Sequence, residues 1–401
     1  MGNPFASLGL AGHYTRFRVG HRLLLTGHSH QAWPDVAFDA QQRAWLDAAA
    51  LVDDKWQRAA AVAVEVRAGW RRLLNDPNGV IALGQNTHEL LVRLLSGVLP
   101  LFQTSDAKRQ RRKLITTNGE FHTIRRQLDR LAEEGVGVIK VAAHPSGTLA
   151  ERLAAVVDDE TACVMVSSVL FETAEIVPHL ASVAAACERR GVTLVVDAYH
   201  HLNVVPFDIE AMGLSNAFVI GGGYKYCQLG EGNAFLRVPP DCDLRPVLTG
   251  WFSEFAQLAE TKRPGEVPYG EGAARFAGAT YDPTSHYRAA AVFAFHKRMV
   301  MTAERLREAS RHQVAMLMSR IERFDLNPAV AEIIAMPAER RGGFLAIRSA
   351  QAVPAVFSLR ARNVFADARG NVLRLGPAPY LSDQQLREAG DIVGDVLKRL
   401  K

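Results

Sequence analysis

The sequence predicts an α/β protein built around a mostly parallel sheet. Two observations lead to this prediction. Short apolar segments recur between residues 80 and 223, and segments with helical spacing separate them. The apolar segments are continuous rather than alternating, which is typical of parallel strands that are buried on both faces. In sheets of this kind, ligands bind beyond the carboxyl ends of the strands.

The predicted elements follow one another in a regular order. A single long helical region, rich in Ala, Leu and charged residues, runs from Pro34 to Leu74. A strand at 80–84 and an amphipathic helix at 86–99 come next, with Asn86 or Thr87 as the N-cap. Further strands are predicted at KLITT (113–117), GVIKVAA (137–143), CVMVSSVLF (163–171), VTLVVDA (192–198) and NAFVIGGG (216–223). Helices are predicted between them at 123–135, 149–159 and 180–191.

The pattern changes after Arg245. A Pro/Gly-rich loop leads into a long helical region at 286–323, and strand-like segments and a terminal helix from Ser382 follow. We therefore predict a small α+β domain at the C-terminal end. The predicted organisation is an N-terminal segment (1–45) that joins this small domain, a large cofactor-binding domain (46–260), and the small domain itself (261–401).

Composition and charge argue against several classes of partner. The chain has 401 residues, 48% of them hydrophobic and 22% charged, which is ordinary for a globular protein. The net charge of +5 is small, and the basic run Lys108–Lys113 is interpreted as a solvated loop, so no nucleic-acid partner is expected. No apolar run of membrane-spanning length and no signal peptide is evident, so we expect a cytoplasmic protein without a membrane partner. The four cysteines form no CxxC pair, and no metal site is predicted.

One lysine stands out because glycines surround it. The stretch GGGYKYCQLGEG (221–232) follows a predicted core strand and contains Lys225. Taken alone, an exposed loop lysine is the commoner interpretation. However, the preceding strand ends in Asp197, and an acid at the carboxyl end of a buried parallel strand points into the ligand crevice, although it can also be a turn former.

An acid and a lysine in one crevice fit pyridoxal 5'-phosphate. The lysine amine forms a Schiff base with the aldehyde, and the aspartate keeps the pyridine nitrogen protonated. The glycines are then expected to let the backbone approach the cofactor. The stretch GQNTHELL places Gln85, Asn86 and Thr87 at a helix N-terminus, where free N–H groups favour the binding of a phosphate group. Phe121 is either a face for the ring or a core residue.

Five short motifs in a fixed order resemble one group of enzymes. They are DAYH (197–200), YKY (224–226), GW (250–251), RFAGAT (275–280) and LRLG (373–376). From about Thr26 to the C-terminus, the chain resembles fold-type I pyridoxal phosphate enzymes of the class V aminotransferase group, and within that group kynureninase. The resemblance implies a large domain with a mostly parallel sheet, a smaller C-terminal domain, and a place in amino-acid metabolism such as tryptophan catabolism.

The resemblance also implies roles for individual residues. The catalytic residues would be Lys225 as the Schiff-base lysine, Asp197 on the pyridine nitrogen, and Tyr224 near the phosphate as a proton relay. The other cofactor-binding residues would be Asn86, Thr87, Phe121, Thr123 and His200, together with Trp251 and Thr280, which cross from a partner chain. The last two imply a homodimer with shared active sites. Arg374 matches the arginine that grips the substrate α-carboxylate.

The implied reaction is hydrolysis of kynurenine to anthranilate and alanine. An aminotransferase, another lyase or a desulfurase stays open, although Cys227 lies too close to Lys225 in sequence to be an obvious desulfurase nucleophile. A catalytically silent dimeric homologue is the alternative of another class. Ile124, Glu172 and Glu254 stand where kynureninases usually carry an acid, a base and an imidazole group. If these three line the pocket, it has lost cationic groups; if they lie outside it, they say nothing about substrate choice.

Overall fold

The computed structural model of the protein describes residues 3–99, 111–261 and 263–400, so residues 108–110 of the basic run lie outside the described residues. The strands in these ranges are β1 (Leu23–Leu24), β2 (Val80–Gly84), β3 (Lys113–Thr117), β4 (Gly137–Val141), β5 (Thr161–Ser167), β6 (Thr193–Asp197), β7 (Phe218–Gly222), β8 (Ala234–Val238), β9 (Glu332–Ile333), β10 (Leu345–Arg348), β11 (Val364–Phe365), β12 (Asp367–Arg369) and β13 (Val372–Leu375). The α-helices are α1 (Val36–Leu51), α2 (Lys55–Leu73), α3 (Thr87–Val98), α4 (His122–Glu133), α5 (Leu149–Ala155), α6 (Leu180–Glu188), α7 (Thr284–Arg298), α8 (Ala303–Glu322), α9 (Ala352–Ala361) and α10 (Asp383–Arg399).

The central sheet has seven strands in the order β2-β8-β7-β6-β5-β3-β4. The five strands from β7 to β4 pair in parallel, and β8 is antiparallel to both of its neighbours. The prediction of a mostly parallel sheet is therefore confirmed. The sequence analysis missed β8, which returns antiparallel to β7 after the glycine-rich loop and is buried throughout.

The alternation of buried side chains explains why the strands are continuously apolar. Every residue of β5 is buried. Val164 and Val166 join the core cluster on one face of the sheet, while Cys163 and Met165 join the cluster on the other face. Because successive side chains of a strand point to opposite faces, both parities must be apolar when helices cover both faces.

Two predicted helical regions are each divided into two helices. The region 34–74 breaks between α1 and α2 at Val52, and the region 286–323 breaks between α7 and α8 near Val300. Both valines have positive φ, 51° in each case. A β-branched residue in this conformation is strained, so tertiary packing rather than local preference must impose these breaks.

The N-terminal segment packs on the C-terminal part of the chain. Strand β1 pairs in parallel with β11, and an isolated bridge joins Thr26 to Gly376. The four-stranded sheet β12-β13-β10-β9 is antiparallel. The terminal helix α10 begins after Ser382, where the sequence predicts a helix, and Ser382 and Gln385 form a capping box. The domain limits 1–45, 46–260 and 261–401 remain predictions. No helix among the described residues is long and apolar enough to cross a membrane.

Candidate active site

A cavity of about 270 Å³ opens where the carboxyl ends of β5 and β6 meet the loop after β7 and the N-terminus of α3. This is the place where parallel α/β sheets bind ligands. Eight of the eleven residues predicted for the site line it: Asn86, Thr87, Phe121, Thr123, Asp197, His200, Tyr224 and Lys225. The structure therefore brings together side chains that are up to 139 positions apart, as between Asn86 and Lys225.

Lys225 presents a buried amine to the cavity. The residue is 4% exposed, and its Nζ lies 3.0 Å from Nε2 of His200. Its Nζ also lies 4.8 to 5.1 Å from the centres of three aromatic rings, those of Phe121, Tyr199 and Tyr224. Burial, and then the positive charge of Arg374, lower the pKa of Lys225 to about 7. A substantial share of this amine is thus neutral and nucleophilic near neutral pH.

Asp197 ends β6 and faces the same cavity. Its Oδ1 accepts a hydrogen bond of 2.8 Å from the backbone N–H of Tyr199, and the described residues offer no hydrogen-bond donor to Oδ2. Burial raises the pKa of Asp197, while the Tyr199 bond and the charge of Lys225 act in the opposite direction. The carboxylate therefore has one oxygen held by the protein and one oxygen available to a ligand.

Helix α3 offers backbone N–H groups to the cavity. The side chain of Asn86 caps this helix, because its Oδ1 accepts from the N–H of Glu89 at 2.9 Å and its Nδ2 donates to Oε1 of Glu89 at 3.0 Å. Thr87 and His88, in the first turn, also line the cavity. The Asn86 amide is engaged in capping, so an anion at this place would meet the first-turn N–H groups and the Thr87 hydroxyl.

Tyr224 is held between two other rings. Its ring stacks against His30 at 5.0 Å and lies 5.0 Å from the ring of Tyr199. The N-terminal segment also bonds here, since the N–H of Gln31 donates to the carbonyl of Tyr224 at 3.2 Å. Burial, and then the charge of Asp197, raise the pKa of Tyr224. The phenol accordingly stays protonated and is a hydrogen-bond donor at neutral pH.

The glycines before Lys225 make room for protein side chains. A Cβ on Gly222 would lie 2.5 Å from Oη of Tyr199, and one on Gly223 would lie 2.6 Å from Cβ of Leu229. A Cβ on Gly221 would meet the ring of Phe235 at 2.9 Å. The expectation that these glycines admit a cofactor is thus wrong for the three, because side chains of the protein already fill that space.

Three predicted site residues do not line the cavity. Trp251 is 45% exposed and Thr280 is exposed, and both remain predictions for the site of a partner chain. Arg374 is buried beside the cavity, where its Nε and Nη2 donate to Asp367 at 3.0 and 2.5 Å. Its Nη1 donates to the carbonyl of Phe171, a residue that lines the cavity, at 2.6 Å.

The three departures from the kynureninase pattern also lie outside the cavity lining. Ile124 is buried in the core cluster that contains Leu90 and Leu94. Glu172 is exposed, and Glu254 lies in a short 3₁₀ helix, Trp251–Gln257. Within this chain they therefore say nothing about substrate choice.

Sequence reasoning missed a second buried acid, Glu120. It accepts hydrogen bonds from Oγ1 of Thr117 at 2.6 Å and from Oγ and N of Ser167 at 2.5 and 3.2 Å. Ser167 lines the cavity and pairs with Asp197 across β5 and β6. Burial raises the pKa of Glu120 to about 7 against the effect of these donors. The signal in the sequence was an acid directly before Phe121, which lies between β3 and α4.

Comparisons with known proteins bear on the fold and on the resemblance to kynureninase. Residues 306–393 match the family model "Kynureninase C-terminal domain". A kynureninase of Bacillus cereus is 26% identical over 270 residues, which is 65% of this chain and 61% of that protein, so the match spans about three fifths of the relative. Two solved structures share the fold at lower identity.

The first of these structures is the cystine C–S lyase C-DES with its product cysteine persulfide, with a TM-score of 0.79, 18% identity, and coverage of 94% of this chain and 98% of that one. The second is a cysteine desulfurase from Thermococcus onnurineus, with a TM-score of 0.81, 15% identity, and coverage of 100% and 99%. The fold-type I architecture is confirmed, and so is the resemblance to kynureninase-like members of the class V aminotransferase group.

Proposed function

We propose that this protein is a pyridoxal 5'-phosphate enzyme that acts on an amino acid. The observation that carries the proposal is the buried Lys225 amine, with a pKa lowered to about 7, in one cavity with the half-buried carboxylate of Asp197, which has a free oxygen. The other parts of the cofactor also find suitable groups. Aromatic side chains flank the amine, and the N-terminus of α3 suits the phosphate.

Each residue has a distinct task in this proposal. When bound, pyridoxal phosphate supplies an electron sink for the carbanion of the substrate. Lys225 would hold the cofactor and move a proton at Nζ, since an amine with a pKa near 7 exchanges protons readily at neutral pH. His200 accepts or donates one hydrogen bond at Nε2 without adding charge, because burial, and then the charge of Lys225, keep its pKa well below the usual range. Asp197 would keep a negative charge opposite the ring nitrogen.

The substrate in this proposal is a kynurenine-like aryl amino acid, which is hydrolysed to anthranilate and alanine when it is kynurenine itself. Similarity to kynureninases supports it, as does the aromatic lining of the cavity by Phe121, Phe171 and Tyr199. Arg374 is the candidate partner of the α-carboxylate.

A different lyase or an aminotransferase is the alternative, favoured by the fold shared with the cystine lyase. A desulfurase that carries sulfur on a cysteine is less well supported. None of the four cysteines lines the cavity, and burial raises the pKa of the Cys227 thiol, which keeps it protonated.

We propose further that the active form is a homodimer. The support is the exposed aromatic surface around Trp251, where Phe255 is 59% exposed, together with the roles that the resemblance assigns to Trp251 and Thr280. Sedimentation should show a dimer. A monomer that still binds the cofactor tightly would contradict this part of the proposal.

Absorbance and product analysis together test the function. The purified protein with added pyridoxal phosphate should acquire a yellow absorbance band that survives gel filtration, whereas a silent homologue that binds no cofactor stays colourless. Incubation with L-kynurenine should then release anthranilate, which is detected by its fluorescence, together with alanine. A yellow protein that releases no anthranilate, but transaminates another amino acid in a panel, would move the assignment to the aminotransferase.

A further inference from the structure

A buried cluster joins the N-terminal segment to the small sheet behind Arg374. Nε2 of His28 lies 2.7 Å from Oδ1 of Asp367, and the same carboxylate binds Arg374 through both oxygens. His28 is 0% exposed and Arg374 is 2% exposed. Arg369 also reaches Asp367, with Nη1 3.3 Å from Oδ2.

The hydrogen bonds of Arg374 leave a defined part of its guanidinium group unused. A guanidinium group carries five N–H donors. Asp367 takes the N–H of Nε and one N–H of Nη2, and the carbonyl of Phe171 takes one N–H of Nη1. The described residues therefore leave one N–H on each terminal nitrogen, which is the number that a second carboxylate needs for two parallel hydrogen bonds.

The position of this unused pair depends on Asp367. Asp367 binds the edge of the guanidinium group formed by Nε and Nη2. The edge formed by the two terminal nitrogens therefore points away from the carboxylate, and its Nη1 bonds the carbonyl of Phe171, which lines the cavity. The ring of Phe344 lies 5.6 Å from the guanidinium carbon and limits its tilt. A rotation of the group would break three hydrogen bonds at once.

His28 in turn holds Asp367. Its Nε2–H donates to the carboxylate, and its buried Nδ1 has no partner among the described residues, which fits the neutral ring with a single donor. The ring has little freedom to move, since a Cβ on Gly376 would lie 2.3 Å from Nδ1 and the ring of Phe344 lies 4.7 Å away. The imidazole is therefore packed tightly against the backbone at Gly376, two residues after Arg374.

We infer that Asp367 and His28 are positioning residues, which present one edge of Arg374 to the free α-carboxylate of an amino-acid substrate. The inference rests on the proposed function and deepens it. It names the chemical class of ligand as amino acids with an unblocked carboxylate, which should bind more tightly than their amides.

Two probes that differ only in the carboxylate test this inference. L-alanine and L-alaninamide are titrated into the protein loaded with pyridoxal phosphate, and the change in cofactor absorbance gives a dissociation constant for each probe. The wild-type protein should prefer L-alanine. In Asp367→Asn this preference should fall by about 10- to 100-fold, since a charge-assisted, two-point contact that orients the arginine is lost.

Further variants separate positioning from folding. His28→Phe keeps the Arg374–Asp367 pair but removes the donor, so it should reduce the preference by a smaller factor, and His28→Gln should restore part of it. Glu332→Gln is the matched control, because it makes the same chemical change in an exposed ion pair with Arg348 on the same sheet. Steady-state kinetics should show the effect of Asp367→Asn mainly in KM.

The outcomes distinguish this inference from the proposed function. A wild-type protein that binds no cofactor contradicts the proposed function and the inference together. A wild-type preference for L-alanine that persists in both folded Asp367→Asn and His28→Phe overturns the inference alone. If Asp367→Asn does not fold, the two His28 variants decide the matter by themselves.

Discussion

The two sides of the candidate active site differ in the partners that they give to buried ionisable groups. On the large-domain side, Lys225 has a neutral imidazole as its nearest polar partner, and Asp197 has one backbone N–H. On the small-domain side, Arg374 has a carboxylate at 2.5 Å, and that carboxylate has His28 at 2.7 Å. Charged groups are withdrawn from solvent on both sides, but among the described residues only Arg374, on the small-domain side, has an ion-pair partner in contact.

This difference distinguishes a group that can react from a group that holds a ligand in position. Burial without an ion-pair partner disfavours the charged form of a group, so it moves the pKa of Lys225 toward neutral pH and leaves the amine able to react. Burial with a close partner keeps the charge and fixes the geometry, which is what recognition of a carboxylate needs. The four predictions that follow test this comparison, from the largest expected effect to the smallest.

Replacement of Lys225 by Ala should abolish covalent attachment of the cofactor. Borohydride reduction followed by peptide mass spectrometry should find the reduced cofactor on Lys225 in the wild-type protein and on no residue in the variant. Lys140→Ala is a suitable control, since Lys140 pairs with Asp129 on the exposed surface. A reduced cofactor on any other lysine would contradict the assignment of Lys225 as the Schiff-base lysine.

Replacement of Asp197 by Ala should reduce turnover by several orders of magnitude, while Asp197→Glu retains some activity. Loss of a charge-assisted hydrogen bond costs about 1.5–3 kcal/mol, and the loss of carbanion stabilisation adds to this cost. Single-turnover rates measured on cofactor-saturated protein test the effect without interference from weaker binding. Near-normal turnover in Asp197→Ala would remove this residue from the catalytic set.

Replacement of Arg374 by Lys should raise KM for an amino-acid substrate by about 10- to 100-fold with a smaller effect on kcat. An ammonium group cannot satisfy Asp367 on one edge and a substrate carboxylate on the other. Steady-state kinetics beside Arg348→Lys, an exposed arginine in the same sheet, provide the comparison. A change confined to kcat would show that Arg374 acts in catalysis rather than in binding of the substrate carboxylate.

The stability of the cofactor-free protein should depend on pH through Lys225. Burial places its pKa at about 7, below the ordinary value of 10.5. Between these two values the unfolded chain holds a proton that the folded chain has released. Stability should therefore rise with pH by about 1.4 kcal/mol per unit in this window, and the contribution is least favourable below about pH 7.

Lys225→Met should remove that slope. Urea unfolding at pH 7.5 and 9.5 measures it in both proteins, and the other groups that titrate in this range are common to both. The raised pKa of Glu120, about 7, acts at lower pH and with the opposite sign, since its contribution is lost as pH rises from 4.5 to 7. Equal slopes in wild type and Lys225→Met would show that the amine is not desolvated as described.

Much of the large domain followed from local patterns in the sequence. The strand segments 80–84 and 113–117 have the predicted limits, because apolar continuity and flanking turn residues are local features. The N-cap of α3 is Asn86, one of the two residues that the sequence offered, and its side chain accepts from the backbone N–H three positions along. Strand β8 was not predicted, since it follows directly on a loop rich in glycine that hides its start.

The sequence by itself determined the chemistry of the reactive side. Lys225 and Asp197 were identifiable because each follows a core strand, and parallel strands bring their carboxyl ends to one edge. Only the tertiary structure decided the environment of these groups and the composition of the paired side. His28 and Asp367 are 339 positions apart, and Glu120 meets Ser167 across 47 positions. No local pattern encodes such contacts, since they arise when the N-terminal segment, the large sheet and the small sheet pack together, and burial then sets the pKa of each group.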